Sequence, residues 1–181
     1  MLLIQAPPPG SLFLYSDGGA KPNPGPCGAG LAASLDSEWV VSLSAGLGRG
    51  TNNLGEIFAF GMALDVGLLR AAEAAPGQDR TFFLVSDSTL AIGVITEGHT
   101  LKALPTDPIY QLVQLARGKL RSLKRLVTVR SLWVASHSGI EGNERADQNA
   151  SAGVELSARD PSDRSVVERA IASKSFLFQP P

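Results

Sequence analysis

The stretch Ser11–Gly30, SLFLYSDGGAKPNPGPCGAG, decides how the rest of the chain is read. Leu12–Tyr15 is an unbroken apolar run, so a strand there would be apolar on both faces and therefore central and covered on both sides. It ends in Ser16-Asp17. A carboxylate closing a buried strand is costly unless it is paired, hydrogen-bonded or bound to a metal. Gly18-Gly19 and Pro22-Asn23-Pro24-Gly25-Pro26 follow at once, glycine allowing positive φ and proline fixing φ at a negative value. The pattern predicts a charged side chain at a sheet end beside a tight loop, and the partner of Asp17 has to come from elsewhere in the chain.

Downstream, Gly28–Ser34 is small and apolar and suits a second strand. Asp36-Ser37 is a turn signal, and Glu38–Leu47 makes a third strand in a hairpin with the second. Thr51-Asn52-Asn53 supplies N-cap residues for a helix over Leu54–Leu69 that is apolar nearly all round, with Pro76-Gly77 as its stop. Thr81–Val85 is a second apolar run, and it too closes in Ser-Asp, at Ser86-Asp87. Coming after a helix, it is expected parallel to the first strand. A short helix over Thr89–Ile95, a loop over Gly98–Pro105 and a helix from Asp107-Pro108 to Leu123 follow. Val127–Ala135 suits a fifth strand, Ser136–Gly142 a loop, and Asn143 the cap of a helix NERADQNA. Ser162–Lys174 suits a last helix and Phe176–Pro181 a frayed end. Hairpin strands followed by alternation give an α/β domain around a mixed sheet.

Composition bounds the function. With 181 residues, 44% hydrophobic and 18% charged, the chain can bury a core and is not disordered overall. A net charge of −1 means that any polyanion site must be local. The single cysteine, Cys27, excludes an intramolecular disulfide framework and a Cys-based zinc site, and fits an intracellular setting. No stretch of about 18 apolar residues exists to span a membrane. Residues 1–10, with Pro7-Pro8-Pro9-Gly10, read as a flexible leader, residues 11–152 as the main folded domain, and residues 153–181 as a C-terminal tail with room for one helix. A monomer is expected.

Four carboxylates stand out by context. Asp17 and Asp87 end apolar strands, Glu56 is the only charge in the first ten positions of an apolar helix, and Asp147 lies in the short helix after the last strand. Parallel alignment of the two Ser-Asp strands would put both carboxylates at one end of the sheet, where sites in open α/β sheets form. Carboxylates converging without Arg or Lys repel one another, and a divalent cation relieves this; all-oxygen ligands favour Mg²⁺ or Mn²⁺. Two such ions about 4 Å apart serve in-line phosphoryl displacement. The residues alone therefore reach metal-dependent phosphodiester hydrolysis.

The motifs DGGAKPNPGPCGAG (Asp17–Gly30), TNNLGE (Thr51–Glu56), VSDS (Val85–Ser88) and WVASHSGIEGNERAD (Trp133–Asp147), in this order, resemble the ribonuclease H family, type 1, over residues 11–152. The resemblance implies a five-stranded mixed sheet of order 3-2-1-4-5, its first three strands antiparallel, flanked by helices. It implies cleavage of the RNA strand of an RNA–DNA hybrid, leaving 3′-hydroxyl and 5′-phosphate ends, with two Mg²⁺ ions that Mn²⁺ can replace. It assigns Asp17, Glu56, Asp87 and Asp147 to the metals and His137 to a mobile loop assisting proton transfer or product release. Asn23, Asn52 and Asn53 match hybrid contacts, Thr51 matches a DNA-phosphate contact, and backbone amides from Gly18 onward add others. The spelling SHSGIEGNERAD is closer to domains attached to retroelement reverse transcriptases, which makes a reverse transcriptase domain in cis an expected partner.

The chain also departs from the family pattern. Ala20 stands where many members carry a polar or sulfur side chain and Thr89 where several carry Gln, and Gly98–Asp107 holds only Lys102 in place of a basic, Trp-rich protrusion, so weak binding by the isolated domain is expected. Arg117, Lys119, Arg121, Lys124, Arg125 and Arg130 are either a solvated face or phosphate contacts. The bland readings are turn residues for Asp17 and Asp87, a helix-start acid for Glu56, a solvated helix acid for Asp147 as for Glu144, caps for Asn52 and Asn53, a plain loop residue for His137, and core positions for Trp39 and Trp133. Two rival functions are a noncatalytic hybrid-binding module of the same fold and a transposase-like nuclease. The first usually lacks a carboxylate that this chain keeps, and the second gives the asparagine set no purpose.

Overall fold

The computed structural model describes residues 7–73 and 80–177. Most of the expected leader (residues 1–6), the Pro76-Gly77 helix stop and the last four residues of the expected frayed end lie outside the described residues. The elements are β1 (Leu12–Ala20), β2 (Gly25–Leu35), β3 (Glu38–Gly50), α1 (Asn52–Ala72), β4 (Thr81–Ser86), α2 (Thr89–Thr96), α3 (Pro108–Leu123), β5 (Thr128–Trp133), α4 (Glu141–Arg159) and α5 (Ser165–Ser173).

The apolar runs at Leu12 and Thr81 become neighbours in the sheet interior. β1 pairs antiparallel with β2 and parallel with β4, in a register that sets Ser16 beside Ser86. The full order is β3-β2-β1-β4-β5, with β2–β3 antiparallel and β4–β5 parallel. The expected five-stranded mixed sheet is therefore present. Because the two Ser-Asp dipeptides share that register, Asp17 and Asp87 leave the same end of the sheet.

The sheet is gripped through glycines. A Cβ on Gly18 would lie 2.0 Å from the carbonyl carbon of Gly55, so β1 and the first turn of α1 touch backbone to backbone. A Cβ on Gly30 would lie 2.2 Å from the Ala146 carbonyl oxygen, which seats α4 directly on β2. These contacts hold the helices that carry Glu56 and Asp147 close over the strand that carries Asp17. On the α1 side, Ile57, Phe58, Phe60 and Leu64 are fully buried with Leu12, Leu14 and Leu84, each side chain contributing about 1.5–3 kcal/mol by leaving water.

Several expectations are corrected. β1 and β2 continue through the glycines as far as Ala20 and Gly25, leaving only Lys21–Pro24 as the loop. Asn143 does not cap α4: the helix starts at Glu141 after Ile140, and Asn143 lies within its first turn, buried. α4 runs without a break across residue 152 to Arg159, so the expected tail contains the end of α4 as well as α5. Phe176, expected in a frayed end, is buried, seated on Gly61 and edge-on to Phe58 with ring centroids 5.3 Å apart. No helix of the described residues is long and apolar enough to cross a membrane.

Candidate active site

Three of the four singled-out carboxylates converge. One oxygen each from Asp17, Glu56 and Asp87 lies within 4.8 Å of the other two. Asp17 is presented by the second half of β1, Asp87 by the residue after β4, and Glu56 by the start of the second turn of α1. Asp147, in the second turn of α4, lines one cleft with Asp17, and its carboxylate raises the Asp17 pKa. It also groups with His137 and Glu144, again with one ligand atom each within 4.8 Å.

The electrostatics are those of a site short of positive charge. Burial first, then the Asp87 and Asp147 carboxylates, push Asp17 up to about 7, although the Gly18 N–H donating to its Oδ1 at 2.8 Å pulls the other way. Burial, then Asp17 and Asp87, push Glu56 up to about 10. Glu56 Oε2 is buried with no hydrogen-bond partner. No Lys or Arg ion pair reaches this cluster among the described residues. A buried orphan oxygen among like charges fits a divalent cation held by oxygen ligands, and the hard carboxylate set suits no soft metal.

Around the cluster, the expected contact residues have structural bonds of their own. The Ala20 N–H donates to Asn52 Oδ1 at 2.8 Å, and the Asn52 N–H donates to Asn23 Oδ1 at 3.2 Å. These two bonds tie the Lys21–Pro24 loop to the start of α1. Thr51 is the N-cap of α1, its Oγ1 accepting from the Leu54 N–H at 3.3 Å, so the cap is neither Asn52 nor Asn53. Asn23, Thr51, Asn52 and Asn53 are all exposed, and Asn52 lines the same cleft as Gly18. A cleft of about 330 Å³ opens beside Asp17 and Asp147, lined further by Lys21, Asn52, Ser151 and Glu155.

His137 sits exposed at φ +51° in the loop after β5. The loop is held by Ser138 Oγ donating to the Ala135 carbonyl at 2.6 Å and by the Gly139 N–H donating to Glu144 Oε1 at 3.4 Å. Glu144, read from sequence as a solvated acid, is thus a member of the His137 group. Its signal was the i, i+3 spacing to Asp147, which puts both on one helix face.

Two of the basic residues are not available to phosphate. Arg117 donates to the carbonyls of Val94 and His99 at 2.7 and 2.8 Å, and Lys119 pairs with buried Asp65. Trp133, expected in the core, is 58% exposed.

An open α/β sheet with carboxylates gathered at the carboxyl end of its parallel pair defines the class, an acid-rich metal-dependent α/β enzyme. A family model described as RNase H matches residues 9–155, and the chain belongs to the ribonuclease H family. A ribonuclease H of Acidiphilium cryptum is 32% identical over 173 residues, covering 90% of this chain and 98% of that protein. The Pol polyprotein of equine infectious anemia virus is 32% identical over 150 residues, 83% of this chain but 11% of the polyprotein. Among solved structures, the N-terminal RNase H domain of rv2228c from Mycobacterium tuberculosis superposes with a TM-score of 0.63 at 21% identity, covering 84% of this chain and 99% of that one, a likeness of fold. RNase H1 of Halobacterium salinarum gives a TM-score of 0.55 at 26% identity, over 81% and 99% of the two chains.

Proposed function

We propose that this chain hydrolyses the RNA strand of RNA–DNA hybrids as an endonuclease, leaving 3′-hydroxyl and 5′-phosphate ends. The observation that carries the reading is the convergence of Asp17, Glu56 and Asp87 with the buried, unpartnered Glu56 Oε2, in a chain of the ribonuclease H family. Asp17, Glu56, Asp87 and Asp147 would hold two Mg²⁺ ions, with Mn²⁺ as a substitute. Bound there, such ions activate a water and stabilise the leaving oxygen of an in-line displacement.

The protein's own residues do the rest. Asp17 belongs to the cluster with Glu56 and Asp87 and lines one cleft with Asp147, so it is the carboxylate that would serve both parts of the set. Asn23 and Asn52, fixed by the Ala20 and Asn52 bonds, and exposed Asn53 offer side-chain amides to the RNA 2′-hydroxyl, which both donates and accepts. Thr51 and the Gly18 backbone lie where a phosphate passing these residues would be met. His137, exposed beside Asp147 and Glu144, takes up or returns a proton as product leaves.

The expected result with purified chain and Mg²⁺ is cleavage of a labelled RNA–DNA hybrid at internal positions, with duplex DNA left intact. An intact hybrid beside a reference ribonuclease H that cuts it would refute the reading, and hybrid binding without cleavage would establish the noncatalytic module instead. The Pol polyprotein match favours a second reading, a domain working in cis with a reverse transcriptase. A monomer in isolation, weak on hybrid alone and strengthened by fusion to such a domain, would support it.

A further inference from the structure

Trp133 is the one exposed large aromatic beside the carboxylate cluster among the described residues, and nothing in the assignments above uses it. It closes β5, and β5 pairs in parallel with β4, which ends next to Asp87. The residue is 58% exposed. Its Nε1–H donates to the backbone carbonyl of Asp87 at 3.0 Å. The Val134 N–H donates to the Ser86 carbonyl at 3.1 Å, so the backbone on both sides of the ring is tied to the cluster's strand.

An indole that found no place in the core would ordinarily keep its N–H in water. Here the N–H is spent on the peptide that carries a cluster carboxylate, and the apolar ring is left facing solvent. The hydrogen bond fixes the ring's direction, so little side-chain freedom remains to be lost when something lies against it. The bases of a duplex are stacked inside, and what it offers an apolar ring at its surface is the face of a sugar.

Resting on the proposed function, we infer that Trp133 is a substrate-contact residue, a pre-ordered indole platform against a backbone sugar of the RNA–DNA hybrid next to the Asp87 end of the site. It supplies apolar contact where this chain has few basic residues: Gly98–Asp107 carries only Lys102, and Arg117 and Lys119 are engaged inside the protein.

Trp39 and Trp133 are the chain's two tryptophans, which makes the test optical. In a Trp39→Phe, Asp17→Asn background Trp133 is the only tryptophan and the strand is not cut. Titration with an unlabelled hybrid is expected to change its emission, with the same midpoint as the anisotropy of a labelled copy. In otherwise unaltered protein, Trp133→Leu is expected to raise KM about tenfold with kcat within about twofold, and Trp133→Phe to recover most of the loss. Emission that stays constant while anisotropy saturates overturns the inference and leaves the proposed function standing. A fall in kcat at unchanged KM also overturns it, leaving Trp133 a support for Asp87 only. No cleavage by the unaltered chain and no hybrid binding would overturn both.

Discussion

Helix α1 carries two buried or half-buried acids, Glu56 and Asp65, and the protein treats them in opposite ways. Asp65 pairs with Lys119 and accepts from Ser175 Oγ at 3.0 Å and from the Phe176 N–H at 2.6 Å. Every charge and hydrogen bond there is answered within the chain. Nine residues earlier, Glu56 faces two other carboxylates and keeps a buried oxygen without a partner. The first arrangement is what a buried charge needs for structure alone: a counter-ion and donors. The second makes sense only with something the chain does not supply. The comparison separates a structural carboxylate from a functional one by asking whether its neighbours satisfy it, and burial by itself does not tell them apart.

The largest expected effect lies at the unsatisfied end. Asp17→Asn or Glu56→Gln should lower hybrid cleavage by about 10³-fold or more, measured at saturating Mg²⁺, because charge stabilisation in a dry site is worth that much. Hybrid binding by Asp17→Asn should persist. At the satisfied end, Asp65→Asn should do the reverse. It leaves Lys119 largely buried without a counter-ion and should cost about 3 kcal/mol by denaturant unfolding, with kcat unchanged. Phe176→Ala removes the ring seated on Gly61 and should cost a similar amount, about 3 kcal/mol, again without loss of kcat.

A subtler effect is pH dependence in the absence of divalent cation. The folded-state values of Asp17 and Glu56 are raised, to about 7 and about 10. Between about pH 4 and those values the native state holds protons that the unfolded chain has released. Stability must therefore fall as pH rises, from about pH 4 to 7 for Asp17 and onward for Glu56. Thermal midpoints of cation-free protein should drop by several degrees between pH 5 and pH 8, since about 1 kcal/mol moves a domain of this size by about 2–4 °C. Glu56→Gln should flatten that slope.

Much of this could be read from the chain, for reasons that differ by element. β1 and β4 were legible because an apolar run ending in Ser-Asp leaves few alternatives. Glu56 was legible because a single charge in a buried helix turn has no bland place to sit. The role of Asp65 is not legible in the sequence, because its partners come from α3 and from residues 175–176, which local spacing does not connect. The end of α4 was misplaced because Ser151-Ala152-Gly153 reads as a helix ending. In the structure Gly153 is there for contact: a Cβ on it would lie 2.4 Å from the Ala45 carbonyl oxygen. Trp133 was misplaced because aromatic residues at strand ends are usually core, and only the neighbouring Asp87 carbonyl explains its exposure. Arg117 and Lys119 looked like candidates for phosphate because sequence shows charge and not the carbonyls and carboxylate that claim it.

A cluster of Asp17, Glu56 and Asp87 built for divalent cations must show it in the thermal midpoint at pH 8, measured with and without Mn²⁺ or Mg²⁺ for the unaltered chain and for Asp17→Asn. Cation should raise the midpoint of the unaltered chain by several degrees. Asp17→Asn should start higher without cation and gain little from it. An unaltered chain indifferent to both cations, or an equal gain in the variant, would mean that the cluster is not a cation site.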